Sequence, residues 1–213
     1  LIIYVGGISP ILEGEEGDAG GLEGFVGGDR TTIALPAIQT EVMKRLNLLG
    51  KPLIFICMSG GAMSFNWEAE NLPVIIQAWY GGQSTGTALA DILFGRYNPS
   101  GKLPVTFYHS DADLPPIKDY SMSNRTYRYF GGDVLYPFGY GLSYTSFKYK
   151  KLECPSEVQI GDTLNVKVEV SNTGKFAGEE VVQLYLSHKA IAQEAPLCQL
   201  VRFKKVNLNP GEN

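Results

Sequence analysis

Residues 52–61 read PLIFICMSGG. From Leu53 to Cys57 no polar residue interrupts the run, and Gly60 and Gly61 end it. A strand with one wet face alternates apolar and polar side chains. A continuous apolar run rich in β-branched residues is instead the pattern of a strand buried on both faces of a parallel sheet. Two other segments repeat it, LIIYVGG from Leu1 and PVIIQAWYGG from Pro73, each closed by paired glycines. A fourth apolar run, KLPVTFYHS, starts at Lys102.

Helical spacing lies between these runs. In LPAIQTEVMKRLNLLGKP, Ile38, Val42, Leu46 and Leu49 fall on one stripe, Pro36 suits a first turn, and Gly50 with Pro52 stops the helix. In STGTALADILFGRYNPSG, Ala88, Leu89, Ile92 and Leu93 form a second stripe, ended by Gly95. Strands alternating with helices predict a layered α/β sandwich with a mostly parallel sheet and right-handed crossovers. Ligands bind such sheets beyond the carboxyl ends of the strands, where the glycine pairs stand.

The periodicity disappears between about Ser110 and Phe147, where Pro, Tyr and Gly dominate, and the segment reads as a connection packed by its own aromatics. After Lys148, Leu164, Val166, Val168 and Val170 alternate with polar residues, SNTG makes a turn, and Val182, Leu184 and Leu186 alternate again. This predicts a one-sided antiparallel β-sandwich of immunoglobulin or fibronectin-III type. About 66 residues remain from Lys148, against roughly 100 in a complete domain of that type, so an incomplete sandwich is expected. The expected organisation is an α/β domain over 1–109, a connecting segment over 110–147 and a β-sandwich over 148–213.

Composition narrows the partners. The chain is 44% hydrophobic and 19% charged, enough apolar surface for one full core and a second small one. With 18 Lys and Arg against 22 Asp and Glu it offers no basic face, which argues against nucleic acid and for small neutral substrates. No apolar stretch reaches the roughly 20 residues of a membrane-spanning helix, so no membrane partner is expected. The three cysteines, Cys57, Cys154 and Cys198, are odd in number and form no CxxC, giving neither a disulfide framework nor a zinc site. The opening within a hydrophobic run, without a methionine, and the final LNPGEN read as those of an internal piece of a longer protein.

Five carboxylates crowd PILEGEEGDAGGLEG, residues 10–24: Glu13, Glu15, Glu16, Asp18 and Glu23. They do not fit a calcium loop, because after Glu13 and Glu15 the third ligand position would fall on Gly17 and the required glycine on Asp18. Residues 82–86, GQSTG, match the nucleophile elbow of serine hydrolases and lie between strand and helix patterns. Only His109 and His188 could serve such a serine, and no HGGG oxyanion motif accompanies it. A tight turn with Ser84 capping the helix is the simpler account. Arg30 could meet a substrate or pair with Asp29 to fix the loop, and Trp67 and Trp79 could stack on a sugar or pack in the core.

Taken in order, YVGGISPILEGEEGD, GGDRTTIALPAIQTEV, GKPLIFICMSGG, AWYGGQSTGTALADILFGRYNPSGKLPVTFY, RTYRYFGGDVLYPFGYGLSYTSF and VSNTGKFAGEEVVQLYL resemble glycoside hydrolase family 3, in its β-xylosidase and β-glucosidase branch. The resemblance covers nearly the whole chain. It implies a TIM-like barrel before this chain that carries the nucleophilic Asp, then an α/β sandwich domain, then a fibronectin-III-like domain. It further implies a retaining exo-β-glycosidase acting on terminal β-linked xylose or glucose of oligosaccharides, without metal or organic cofactor, and a periplasmic or extracellular location. The acid/base Glu of xylosidase-like members is the second of a Glu-x-Glu, which maps onto Glu15 of EGE, with Glu13 and Glu16 as alternates. A longer insert than in the compact form of that motif, residues 17–28, separates this Glu from Asp29 and Arg30. Residues 1–213 would then hold one half of a catalytic pair and be inactive in isolation. Two other readings stand beside this one, a non-catalytic carbohydrate-binding or structural module and a serine hydrolase using Ser84. No feature of the sequence points to an oligomeric state.

Overall fold

The computed structural model describes residues 1–13, 21–27, 29–187 and 195–213. They form two compact units. The first comprises residues 1–89, 103–139 and 187–199, the second residues 90–102, 140–186 and 200–213.

The first unit opens with β1 (Ile2–Gly7), followed by a two-residue hairpin of β2 (Phe25–Val26) and β3 (Asp29–Arg30) and by α1 (Ala37–Asn47). Then come β4 (Leu53–Met58), α2 (Asn66–Asn71) and β5 (Val74–Gln77), and α3 (Thr85–Leu93) starts in this unit and ends among residues of the second. β1, β4 and β5 make a parallel sheet with β4 in the middle, in register from Ile2 opposite Leu53 to Gly7 opposite Met58. The α/β class with a parallel sheet is the one read from the sequence.

Burial on both faces, expected of three runs, holds for β4 alone. Every β4 residue from Leu53 to Cys57 is buried. On β1, Ile2 and Tyr4 pack into the core while Ile3 and Val5 stand 47% and 57% exposed. The packed face is filled by rings: Tyr4 meets Phe55, Phe55 meets Phe65 edge-on, and Phe107 lies against both Phe65 and Trp79 at centroid distances near 6 Å.

α1 occupies the predicted residues but turns a different face inward. Met43 is completely buried, Leu46 packs on the core, and Ile38 is 69% exposed. Two side chains set this rotation. Gln39 donates its amide to the Gly7 carbonyl (2.6 Å) and accepts from the Gly7 N–H (2.8 Å). Thr40 donates to Glu68, which is buried on α2 (2.6 Å). A Cβ at Gly7 would fall 1.9 Å from the Met58 carbonyl oxygen, and its φ of +114° also excludes other residues.

The fourth apolar run forms no strand of this sheet. Pro104 has no N–H to give a ladder, and Phe107 pairs by one antiparallel bridge with Tyr136. A 3-10 turn (Asp111–Asp113) and α4 (Thr126–Tyr129) follow. Asp111 accepts from Thr32 Oγ1 and from the Ile33 N–H, fastening this segment to the loop before α1.

The second unit contains two pairs of strands. β6 (Phe147–Glu153) runs antiparallel to β7 (Lys167–Asn172), with an irregular register after Lys150 where Lys151 takes φ +49°. β8 (Gly178–Leu186) pairs with β9 (Gln199–Leu208). β7 starts later than the alternation implied, so Leu164 and Val166 precede it. Asn172, read as part of a turn, is a buried junction. Its Oδ1 accepts from Thr145 Oγ1 (2.7 Å) and the Gly174 N–H (3.0 Å), and its Nδ2 donates to the carbonyls of Phe176 (2.8 Å) and Leu208 (2.9 Å). On β8, Glu179 accepts from Tyr97, Ser100 and Lys205, and Glu180 from Tyr149, with Lys102 paired to Glu180.

Candidate active site

The carboxyl ends of β1, β4 and β5 lie side by side, and at them stands Glu13. Its backbone N–H and that of Leu12 donate to the Ser9 carbonyl, making a tight turn directly after β1. Its carboxylate meets three donors from three other segments. Arg30 Nη1 reaches Oε1 at 3.4 Å, the Gly60 N–H reaches Oε2 at 2.9 Å, and the Tyr80 hydroxyl reaches Oε2 at 2.6 Å. The side chain is 16% exposed.

Each donor is placed by its own element. Arg30 sits in the β2–β3 hairpin opposite Phe25, which is buried in the core and pins the hairpin. Its guanidinium also donates to the carbonyls of Ala62 and Thr32. Gly60 follows β4, where a Cβ would come 2.5 Å from Glu13 Oε2 and 2.8 Å from the Tyr80 ring. Tyr80 follows β5. Before it Trp79 adopts φ +55°, the left-handed region that a bulky residue occupies only under constraint. The turn aims the Tyr80 hydroxyl back across the sheet end, where its proton lies between Glu13 and the Ile8 carbonyl (2.7 Å). Burial, reinforced by the bond to Glu13, holds this phenol well above its ordinary range.

Of the three candidate acids, the structure places Glu13 in this network. Glu15 and Glu16 lie outside the described residues, as does Asp18. Arg30 is an internal staple, and the carboxylate it reaches is Glu13 rather than Asp29. Trp79 packs on Phe107 and Trp67 against the core beneath Lys44. Ser84 is exposed, with Thr85 bonding its own hydroxyl to the Gly82 carbonyl. The His109 ring faces Asn66 through Nδ1 (2.7 Å) and Asp133 through Nε2 (3.3 Å), and His188 lies outside the described residues. Burial pushes the Cys57 thiol up to about 11, so it carries no thiolate chemistry at neutral pH.

Sequence reasoning overlooked Tyr80 and the reason for the glycines after β4. The signal was present in the paired glycines of MSGG and AWYGG. They read as turn residues, whereas Gly60 is required by the carboxylate and ring packed against it.

Residues 1–144 match the model of the glycosyl hydrolase family 3 C-terminal domain. The chain belongs to glycosyl hydrolase family 3. Residues 180–213 match the fibronectin type III-like domain. A xylan 1,4-beta-xylosidase of Xylanibacter ruminicola is 47% identical over 211 residues, covering 99% of this chain and 24% of that protein. A periplasmic beta-glucosidase of Salmonella typhimurium is 38% identical over 196 residues, covering 86% of the chain and 26% of that protein. The solved structure of a β-glucosidase from Erythrobacter marinus superposes with a TM-score of 0.83 at 38% identity over 99% of the chain and 28% of the other. The chain thus spans about a quarter of the length of these curated family 3 relatives.

Proposed function

We propose that residues 1–213 are part of a retaining exo-β-glycosidase that releases terminal β-linked xylose, or glucose, from oligosaccharides, and that they supply its general acid/base. The observation that carries this reading is the near-complete alignment, at 47% identity, with a relative named as a xylan-cleaving β-xylosidase. Retaining hydrolysis places a nucleophilic carboxylate and a second carboxyl group about 5 to 5.5 Å apart. The second protonates the departing oxygen and then activates water. Glu15 takes this second role in our reading, with Glu13 and Glu16 as its alternates. The nucleophile comes from a barrel domain outside residues 1–213. The location is periplasmic or extracellular, in keeping with the name of one relative.

In the full-length enzyme Glu15→Gln lowers turnover of xylobiose by about 1,000-fold or more, since this leaving group needs a proton, and spares much of the activity on activated aryl xylosides. Steady-state kinetics on the two substrates check this. Xylobiose turnover by E15Q within tenfold of the wild type rules out Glu15.

A further inference from the structure

We propose that Glu13 is a positioning residue: together with Arg30, Gly60 and Tyr80 it clamps the chain two residues before Glu15 in the sequence, and so acts on the proton donor through the backbone that joins them. The inference rests on the reading that Glu15 or Glu16 is that donor.

The clamp joins segments distant in sequence. Glu13 follows β1, Gly60 follows β4 and Tyr80 follows β5, while Arg30 belongs to the β2–β3 hairpin. One carboxylate therefore links the ends of all three strands to the returning chain. Both of its oxygens meet donors, Arg30 on Oε1 and Gly60 with Tyr80 on Oε2. A general acid needs its proton aimed at a leaving group, and three of the roughly four acceptor positions of the Glu13 carboxylate are already taken by donors of this chain.

The surroundings are shaped to this arrangement at some cost. Trp79 is held at φ +55° to turn Tyr80 inward. Gly60 admits no side chain beside Oε2, and a Cβ on Gly61 would sit 3.4 Å from Arg30 Nη1. The Arg30 guanidinium, with Ala62 and Thr32 carbonyls on its other edges, cannot swing away without losing those bonds. Glu13 and Glu15 are separated by one residue, so a shift of the clamp moves the donor. Misplacement by about 1 Å can cost on the order of 100-fold in rate.

The test is kinetic, in the full-length enzyme, with E13Q, Y80F, the E13Q/Y80F double variant, E15Q and E16Q. Each is assayed on xylobiose and an activated aryl xyloside, across pH, with and without azide. Azide is a small anionic nucleophile that intercepts the glycosyl-enzyme when the acid/base carboxylate is gone, forming a β-glycosyl azide and leaving the nucleophile free. A proton donor's loss removes the basic limb of the pH profile and makes aryl xyloside turnover respond to azide. For E13Q the expected result is a loss of about 10- to 100-fold on xylobiose, with the basic limb retained and no azide response. Y80F follows the same pattern more weakly, and the double variant is no worse than E13Q by more than about threefold, as for groups acting together. If E13Q yields no folded enzyme, Y80F reads the same clamp, because it deletes one hydroxyl and leaves the ring.

Azide rescue of E13Q with loss of the basic limb overturns the inference by making Glu13 the donor. Wild-type rates for E13Q or Y80F, while E15Q or E16Q behaves as the donor, overturn the clamp and leave the proposed function standing. Undiminished xylobiose hydrolysis by both E15Q and E16Q removes the proposed function and the inference with it.

Discussion

Asn172 has a short side chain with two acceptor sites and two donor hydrogens, and the second unit uses all four. In Asn172→Ala the carbonyls of Phe176 and Leu208 and the Thr145 hydroxyl lose their partner within a buried site. At about 1 to 3 kcal/mol for a buried group left unmade, a loss of about 3 kcal/mol is expected. Urea denaturation followed by a probe in the second unit measures it, and a change below about 0.5 kcal/mol would show that water replaces the amide. Asn172→Asp offers no remedy, since it sets a carboxylate against two carbonyls. SNTG was legible as a turn because Asn and Gly carry turn chemistry locally. That the asparagine also ties in Leu208 depends on a residue far along the chain, which no local pattern records. Tyr80 and Gly60 escaped for the same reason, since their meaning lies in a carboxylate distant from both.

α1 illustrates what periodicity can and cannot decide. Its limits, Ala37 to Asn47, follow from Pro36 and Gly50 as read. Its orientation does not, because two overlapping stripes share Leu46, one through Ile38 and Val42 and one through Gln39 and Met43. Hydrophobicity favours the first. The Gln39 bonds to Gly7 and the Thr40 bond to Glu68 select the second. Met43→Ala is therefore expected to cost about 2 to 5 kcal/mol, and Ile38→Ala at most about 0.5 kcal/mol. Equal effects of the two in thermal or urea unfolding would contradict the observed rotation. The apolar run from Lys102 forms no strand for a different reason. Phe107 is buried, but against rings and one bridge rather than within a ladder, and Val105 stands 41% exposed.

Among the described residues, several acidic side chains are tied to hydroxyls and ammonium groups. Bonds from Tyr97, Lys205 and Ser100 hold Glu179 below the usual carboxylate range, and Lys151 does the same for Glu169. A carboxyl group whose folded value lies below its unfolded one stabilises the fold above the unfolded value and loses that contribution as pH falls through the folded one. Stability should therefore decline as pH falls from the ordinary glutamate value of about 4.3 through the lower folded values, and Glu179→Gln should flatten part of the decline. Urea midpoints at several pH values and low ionic strength check this, and added salt should shrink the difference. An unchanged slope in E179Q assigns the acid sensitivity elsewhere. The α/β class, the family and the glycine-bearing strand ends were all legible in the sequence, because they repeat along it. The sharing of one carboxylate among three strand ends was not. Gln39 carries one last consequence. In β1 the N–H and C=O of Gly7 point away from β4, and the Gln39 amide meets both as a neighbouring backbone would. The side chain imitates one residue of an added strand. Any chain that paired alongside β1 would have to stop before Gly7, so the end of the sheet that faces the clamp is closed to edge-to-edge association.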